Sequence, residues 1–97
     1  MNQKIYYLDR LMGSVFKILP MYESDPSVLE SDWVQSLVSD IISSDELLFN
    51  GSILEIAVKI NSLTQEVNNN HKCVKRIILD CTGIINKERE LIADDIS

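Results

Sequence analysis

At 97 residues the chain is read as one domain, residues 1–97, because two independent cores would each bury too little surface. It is 45% hydrophobic and 25% charged with only 3 Gly and 2 Pro, which excludes a collagen-like or disordered chain. Nine basic residues against 15 acidic give a net charge of −6, the wrong sign for a general nucleic-acid binder, whose phosphate contacts need Lys and Arg.

The first apolar set is Ile5, Leu8, Met12, Val15, Phe16 and Leu19, at steps of three and four, which predicts one face of a helix. Pro20 is expected to end it, because a proline pushes the residue before it out of the α region. Asp25-Pro26 then reads as an N-cap followed by a first helical position, where a missing N–H costs nothing. Leu29, Trp33, Leu37 and Ile41, with Val34, Val38 and Ile42 beside them, predict a second helix over about 27–43. The helical register places Trp33 in the core. Ser43-Ser44-Asp45-Glu46 has the form of a capping box and predicts a short extra helical turn through Phe49. Asn50-Gly51 stops that turn, since both residues accept positive φ.

Ser52-Ile53-Leu54-Glu55 is a second capping box. It opens a third helix with Ile53, Ile56, Ala57, Ile60, Leu63 and Val67 on one face. Asn68-Asn69-Asn70 is a connector, and Asn70 is placed to cap a fourth helix striped by Val74, Ile77, Ile78, Cys81, Ile84 and Ile85. Gly83 inside that stripe costs about 1 kcal/mol relative to Ala, so a bend or a weak point is expected there. The tail, about 93–97, is expected to fray. Four helices with short links predict an all-α fold, a compact four-helix bundle-like domain with one short extra helical turn.

No run of about 18 apolar residues exists, so no membrane span is expected. The first residues lack a signal-peptide pattern, and a cytoplasmic location is expected. Cys73 and Cys81, eight positions apart on one helix, would sit about 12 Å apart. That is too far for a disulfide, and free thiols suit a reducing compartment. Cys81 reads as a small core residue and Cys73 as inert.

The single His71 leaves no His-rich metal site, and no phosphate-cradling glycine loop or Gly-x-Ser-x-Gly elbow is present. Neither a cofactor, a metal nor an enzymatic activity is expected.

The most informative feature is a gap: no Lys or Arg occurs between Lys17 and Lys59. That interval holds eight acids, Glu23, Asp25, Glu30, Asp32, Asp40, Asp45, Glu46 and Glu55, so the stretch carries −8 and the remainder +2. The plain explanation is a solvated face whose acids also favour helix starts. The sharper one is a face for a cationic partner, since a one-signed patch raises encounter rates by about 10- to 1000-fold. The candidate contact residues are Tyr22, Glu23, Asp25, Glu30, Asp32, Asp45 and Glu46. The carboxylates supply the field and Tyr22 the desolvated contact area. His71, Lys72, Lys75 and Arg76 form the opposite feature, read as neutralising acids of the bundle; a minor anion or partner contact is the alternative.

The segments Phe16-Lys17-Ile18-Leu19-Pro20-Met21-Tyr22-Glu23 and Leu48-Phe49-Asn50-Gly51, with the size, acidity and helicity, resemble the small acidic immunity proteins of bacterial contact-dependent growth inhibition systems. The resemblance implies a cytosolic antitoxin that binds the toxin domain of a secreted effector, often a nuclease, transfer-RNA-cleaving ones included; from charge and hydropathy, no nucleic-acid or membrane contact of its own is expected. The alternative is a helical adaptor or inhibitor acting on another host or phage protein. The apolar content leaves homodimerisation open.

Overall fold

In the computed structural model, residues 2–65 and 69–96 are described, with side chains to residue 93. Four helices carry the fold: α1 (Gln3–Ser24), α2 (Asp32–Ser44), α3 (Leu54–Gln65) and α4 (His71–Ile96). A 310 turn, Pro26–Glu30, joins α1 to α2, and a π turn, Asp45–Phe49, follows α2 directly. No strand occurs among the described residues.

Three contacts fix the helix directions. The Tyr22 hydroxyl at the end of α1 donates to the Asn69 carbonyl just before α4, at 3.1 Å. Asp9 early in α1 meets Arg89 late in α4, Oδ1 to Nε 3.0 Å. The Tyr7 hydroxyl donates to Asp40 near the end of α2 at 3.0 Å. α1 therefore runs antiparallel to α4 and to α2, with α1 packed chiefly on α4 and α2 on α3. At about 1.5 Å per residue the 26 residues of α4 span about 39 Å. That helix sets the 43 Å long axis of the molecule.

The stripes of α3 and α4 largely bury as predicted, whereas on α1 only Leu8 and Val15 of the predicted set are buried, and Leu11 and Ile18 take the inward positions expected of Met12, Phe16 and Leu19. Leu8, Leu11, Val15 and Ile18 of α1 meet Val34 and Ile41 of α2, Ile56, Ala57, Ile60 and Leu63 of α3, and Val74, Ile78, Cys81 and Ile85 of α4 in one apolar cluster. Each fully buried Leu, Ile or Val contributes about 1.5–3 kcal/mol of gross hydrophobic stabilisation. Asn70 caps α4 as predicted, its Oδ1 accepting the Cys73 N–H at 2.9 Å. Asn50 (φ 50°) and Gly51 (φ 98°) both take the left-handed backbone that the Asn-Gly pair predicts.

Several boundaries differ from the sequence expectation. α1 runs through Pro20 instead of ending there, to a last turn closed by the Asp25 N–H on the Met21 carbonyl at 2.9 Å. An interior proline costs about 3 kcal/mol. Continuing the helix packs half-buried Tyr22 against the core, and both Pro20 and Phe16 face solvent, where the orphaned carbonyl of Phe16 lies on the wet side.

The second helix begins at Asp32, five residues later than expected. Asp25 caps only the 310 turn, accepting the Ser27 N–H at 3.1 Å. Ser31 then interrupts it in extended backbone, its hydroxyl donating to the Val28 carbonyl at 2.6 Å and accepting the Val34 N–H at 3.4 Å. Such local side-chain bonds compete with helix propagation.

The Ser43–Glu46 capping box does not form. The chain passes from α2 straight into the π turn, whose Asn50 N–H reaches the Asp45 carbonyl at 2.8 Å. Trp33 is 36% exposed and lies at the rim instead of in the core, since Val34 takes the inward position. Phe16 and Ile42 are also exposed. The helix continues through Gly83, where an added Cβ would meet nothing within 4 Å. α4 remains helical to Ile96 where fraying is expected, while Val67, Asn68 and Ser97 lie outside the described residues.

Candidate functional site

The helix pairing sorts the charges. Eight of the nine basic residues sit on α1 and α4 and the ninth, Lys59, on α3. α2 and its flanking turns carry none. On that base-free side Asp25, Glu30, Asp32, Asp40 and Glu46 are exposed. Between Asp32 and Asp40 the outer face of α2 shows Gln35, Ser36 and Ser39, which with Asp32 line a shallow depression. Along α2 and into the π turn, Asp32, Asp40 and Glu46 are spread over about 21 Å of axial rise.

The candidate contact residues divide into three groups. Asp25, Glu30 and Asp32 cluster around the 310 turn and the start of α2, and all three face solvent. The Asp25 carboxyl is held below the usual carboxylate range by the Ser27 hydroxyl, which donates to it at 2.8 Å, and then by the Ser27 backbone N–H. Tyr22 and Glu23 belong to the α1–α4 junction. The Tyr22 ring packs against the core with its hydroxyl committed to Asn69, and Glu23 Oε1 lies 3.4 Å from His71 Nε2. His71 thus lies beside an acid, whereas Lys72, Lys75 and Arg76 make none of the ion pairs formed among the described residues. Glu46 stands alone at the far end, on the π turn.

Asp45 must be removed from the contact set. It is 5% exposed, and its carboxylate is turned inward. Its oxygens accept the Gly51 N–H at 3.0 and 3.1 Å and the Ile53 N–H at 3.0 Å. These bonds anchor the entry to α3, the role that the sequence assigns to Ser52. A carboxylate accepting backbone N–H groups in a buried turn organises the chain and is not free to meet a partner.

Sequence reasoning counted Asp40 among the acids but left it out of the contact set; the helical repeat places it two turns beyond Asp32. It accepts the Tyr7 hydroxyl at 3.0 Å. Burial, followed by smaller effects that include this bond, pushes the Tyr7 phenol up to about 12. Also missed were the exposed apolar residues Ile42, Leu47 and Leu54 around the π turn.

A cleft of about 410 Å³ between α3 and α4 holds Lys59, Cys73, Arg76 and Asp80. Lys59 is engaged there by Asp80 at 3.6 Å and by Glu55 at 3.9 Å. Among the described residues no group of three or more His, Cys, Asp or Glu is arranged to hold a metal ion, and no helix is long and apolar enough to cross a membrane. Both cysteines are free, Cys73 exposed and Cys81 buried. Burial pushes the Cys81 thiol up to about 12.

No family model, curated protein or solved structure matches the chain.

Proposed function

We propose that this chain is an immunity protein, an antitoxin that binds the toxin domain of a secreted bacterial effector one to one and blocks it by occlusion. The observation that carries the reading is the base-free side of the bundle, where five exposed carboxylates run from the 310 turn along α2 to the π turn. A nuclease that grips a phosphate backbone presents a basic cleft. An acidic helical face can occupy such a cleft or sit beside it and exclude the substrate. Complementary charge also speeds capture, which suits defence against an incoming toxin.

In this reading the protein acts in the cytoplasm as a binding protein without catalysis, cofactor or nucleic-acid contact of its own. Asp25, Glu30, Asp32, Asp40 and Glu46 supply the field, while Tyr22, Glu23 and Asp45 hold the scaffold that presents it.

The test is co-expression. The reading frame next to this one should encode a large secreted effector whose C-terminal domain arrests growth, and this chain should restore growth and co-purify with that domain in a one-to-one complex. A neighbouring frame of another kind, with the chain bound instead to a host or phage regulator, would establish the adaptor reading.

A further inference from the structure

Apolar side chains gather at the corner where α2 passes through the π turn into α3. Ile42 and Leu54 line an open depression of about 480 Å³, with Glu46, Asn50 and Gly51 around it and the inward-turned Asp45. Leu47 projects from the π turn, 81% exposed, next to Glu46. Val58, also exposed, follows Leu54 by four positions on the same face of α3. One exposed leucine on a surface is ordinary. Four apolar residues on three consecutive elements at one corner form the kind of patch that marks an interaction site.

The corner is stiff. The Asp45 carboxylate ties down Gly51 and Ile53, and the buried Phe49 ring packs on Tyr7 with centroids 5.8 Å apart. A surface already held in shape loses little freedom on binding. Its rim is anionic: Glu46 borders the depression and no Lys or Arg lines it, while Glu55 on α3 is drawn to Lys59. The one base along α3, Lys59, is drawn to Asp80 on α4. A second copy of the chain docked through a two-fold axis would set this acidic corner against itself, and such like-charge contact is costly.

We infer that this corner receives an aliphatic or aromatic side chain of a basic partner protein, flanked there by Lys or Arg. The inference rests on the acidic-face reading for the sign of the partner and adds where the desolvated centre of the contact lies.

The test titrates labelled protein with three synthetic helical peptides of about 15 residues. One pairs a Leu face with Lys, the second replaces Leu by Ser with Lys kept, and the third replaces Lys by Glu with Leu kept. Amide shifts caused by the Leu/Lys peptide should centre on Ile42, Glu46, Leu47, Gly51 and Leu54. Its affinity should exceed that of each other peptide at least tenfold, and Leu47→Ser with Leu54→Ser should remove that advantage. Both substitutions sit at exposed positions, and an unchanged circular-dichroism melt verifies the fold. Equal binding of the Leu/Lys and Ser/Lys peptides would overturn this inference and leave the acidic-face reading standing. Equal binding of the Leu/Lys and Leu/Glu peptides at the corner would overturn the basic partner, and no binding of any peptide would overturn the docking corner. Concentration-dependent dimerisation abolished by Leu47→Ser would assign the corner to a second copy instead.

Discussion

Asp45 and Glu46 are adjacent acids of the same base-free stretch, yet the fold gives them opposite roles, so substituting each separates scaffold from surface. In Asp45→Ala the Ile53 N–H loses its acceptor in a buried setting, and an unsatisfied buried donor costs about 1–3 kcal/mol. The Gly51 N–H also loses its acceptor, but Gly51 is exposed, so water recovers part of that bond. Together the loss should be about 2–4 kcal/mol, a large share of the roughly 5–15 kcal/mol that stabilises a domain. Asp45→Asn keeps one oxygen able to accept from both N–H groups, and should lose about 1 kcal/mol with the charge. Glu46→Gln removes an exposed charge and should stay within about 0.5 kcal/mol of the parent. Urea unfolding followed by circular dichroism reads all three variants, with an unchanged slope showing that only stability moved. Loss of less than 0.5 kcal/mol in Asp45→Ala, or equal losses in the two Ala and Gln variants, would refute the assignment of Asp45 to the scaffold.

Other outcomes follow from individual groups. Tyr7 has a folded phenol pKa near 12 against 10.0 for the free side chain, so the folded state holds its proton longer. The associated stability is therefore complete below pH 10 and declines as pH rises towards 12, and Tyr7→Phe should flatten that decline in alkaline urea titrations. In native protein Cys73 should react with a thiol reagent while Cys81 waits for unfolding, so a native titration gives one thiol and a denatured one gives two. Gly83→Ala should raise stability by about 0.5–1 kcal/mol, because the new methyl meets no neighbour, whereas Gly51→Ala should lower it by about 1–2 kcal/mol at φ 98°. Thermal melts of the two variants in parallel provide the comparison.

Much of the fold is legible residue by residue, because period and caps agree. Ile53, Ile56, Ala57, Ile60 and Leu63 keep helical spacing and are buried, and Asn70 and Asn50-Gly51 mark boundaries through chemistry that acts locally. Pro20 misleads because its penalty is local while the gain from packing the last turn of α1 comes from the assembled core. Trp33 misleads because the helix turns the neighbouring, smaller Val34 inward and leaves the indole at the rim.

For the candidate site, the gap in basic residues maps onto one part of the fold, since α2 and its turns hold the stretch without Lys or Arg between α1 and α3. What the gap does not reveal is which carboxylates are free. Asp45 looks like Glu46 in sequence and differs only because the backbone N–H groups of Gly51 and Ile53 fold back onto it. Tyr22 and Glu23 are claimed by Asn69 and His71, almost fifty residues further along the chain.

The most direct measurement is the association rate with the partner, taken by stopped flow from low to high salt. It compares the parent with a variant carrying Asp25→Asn, Glu30→Lys and Asp32→Lys, in which Asn preserves the cap of the 310 turn. The acidic-face reading predicts a parent rate that falls steeply with salt and a variant at least tenfold slower at low salt, with the two converging as screening grows. Equal rates with little salt dependence would contradict it.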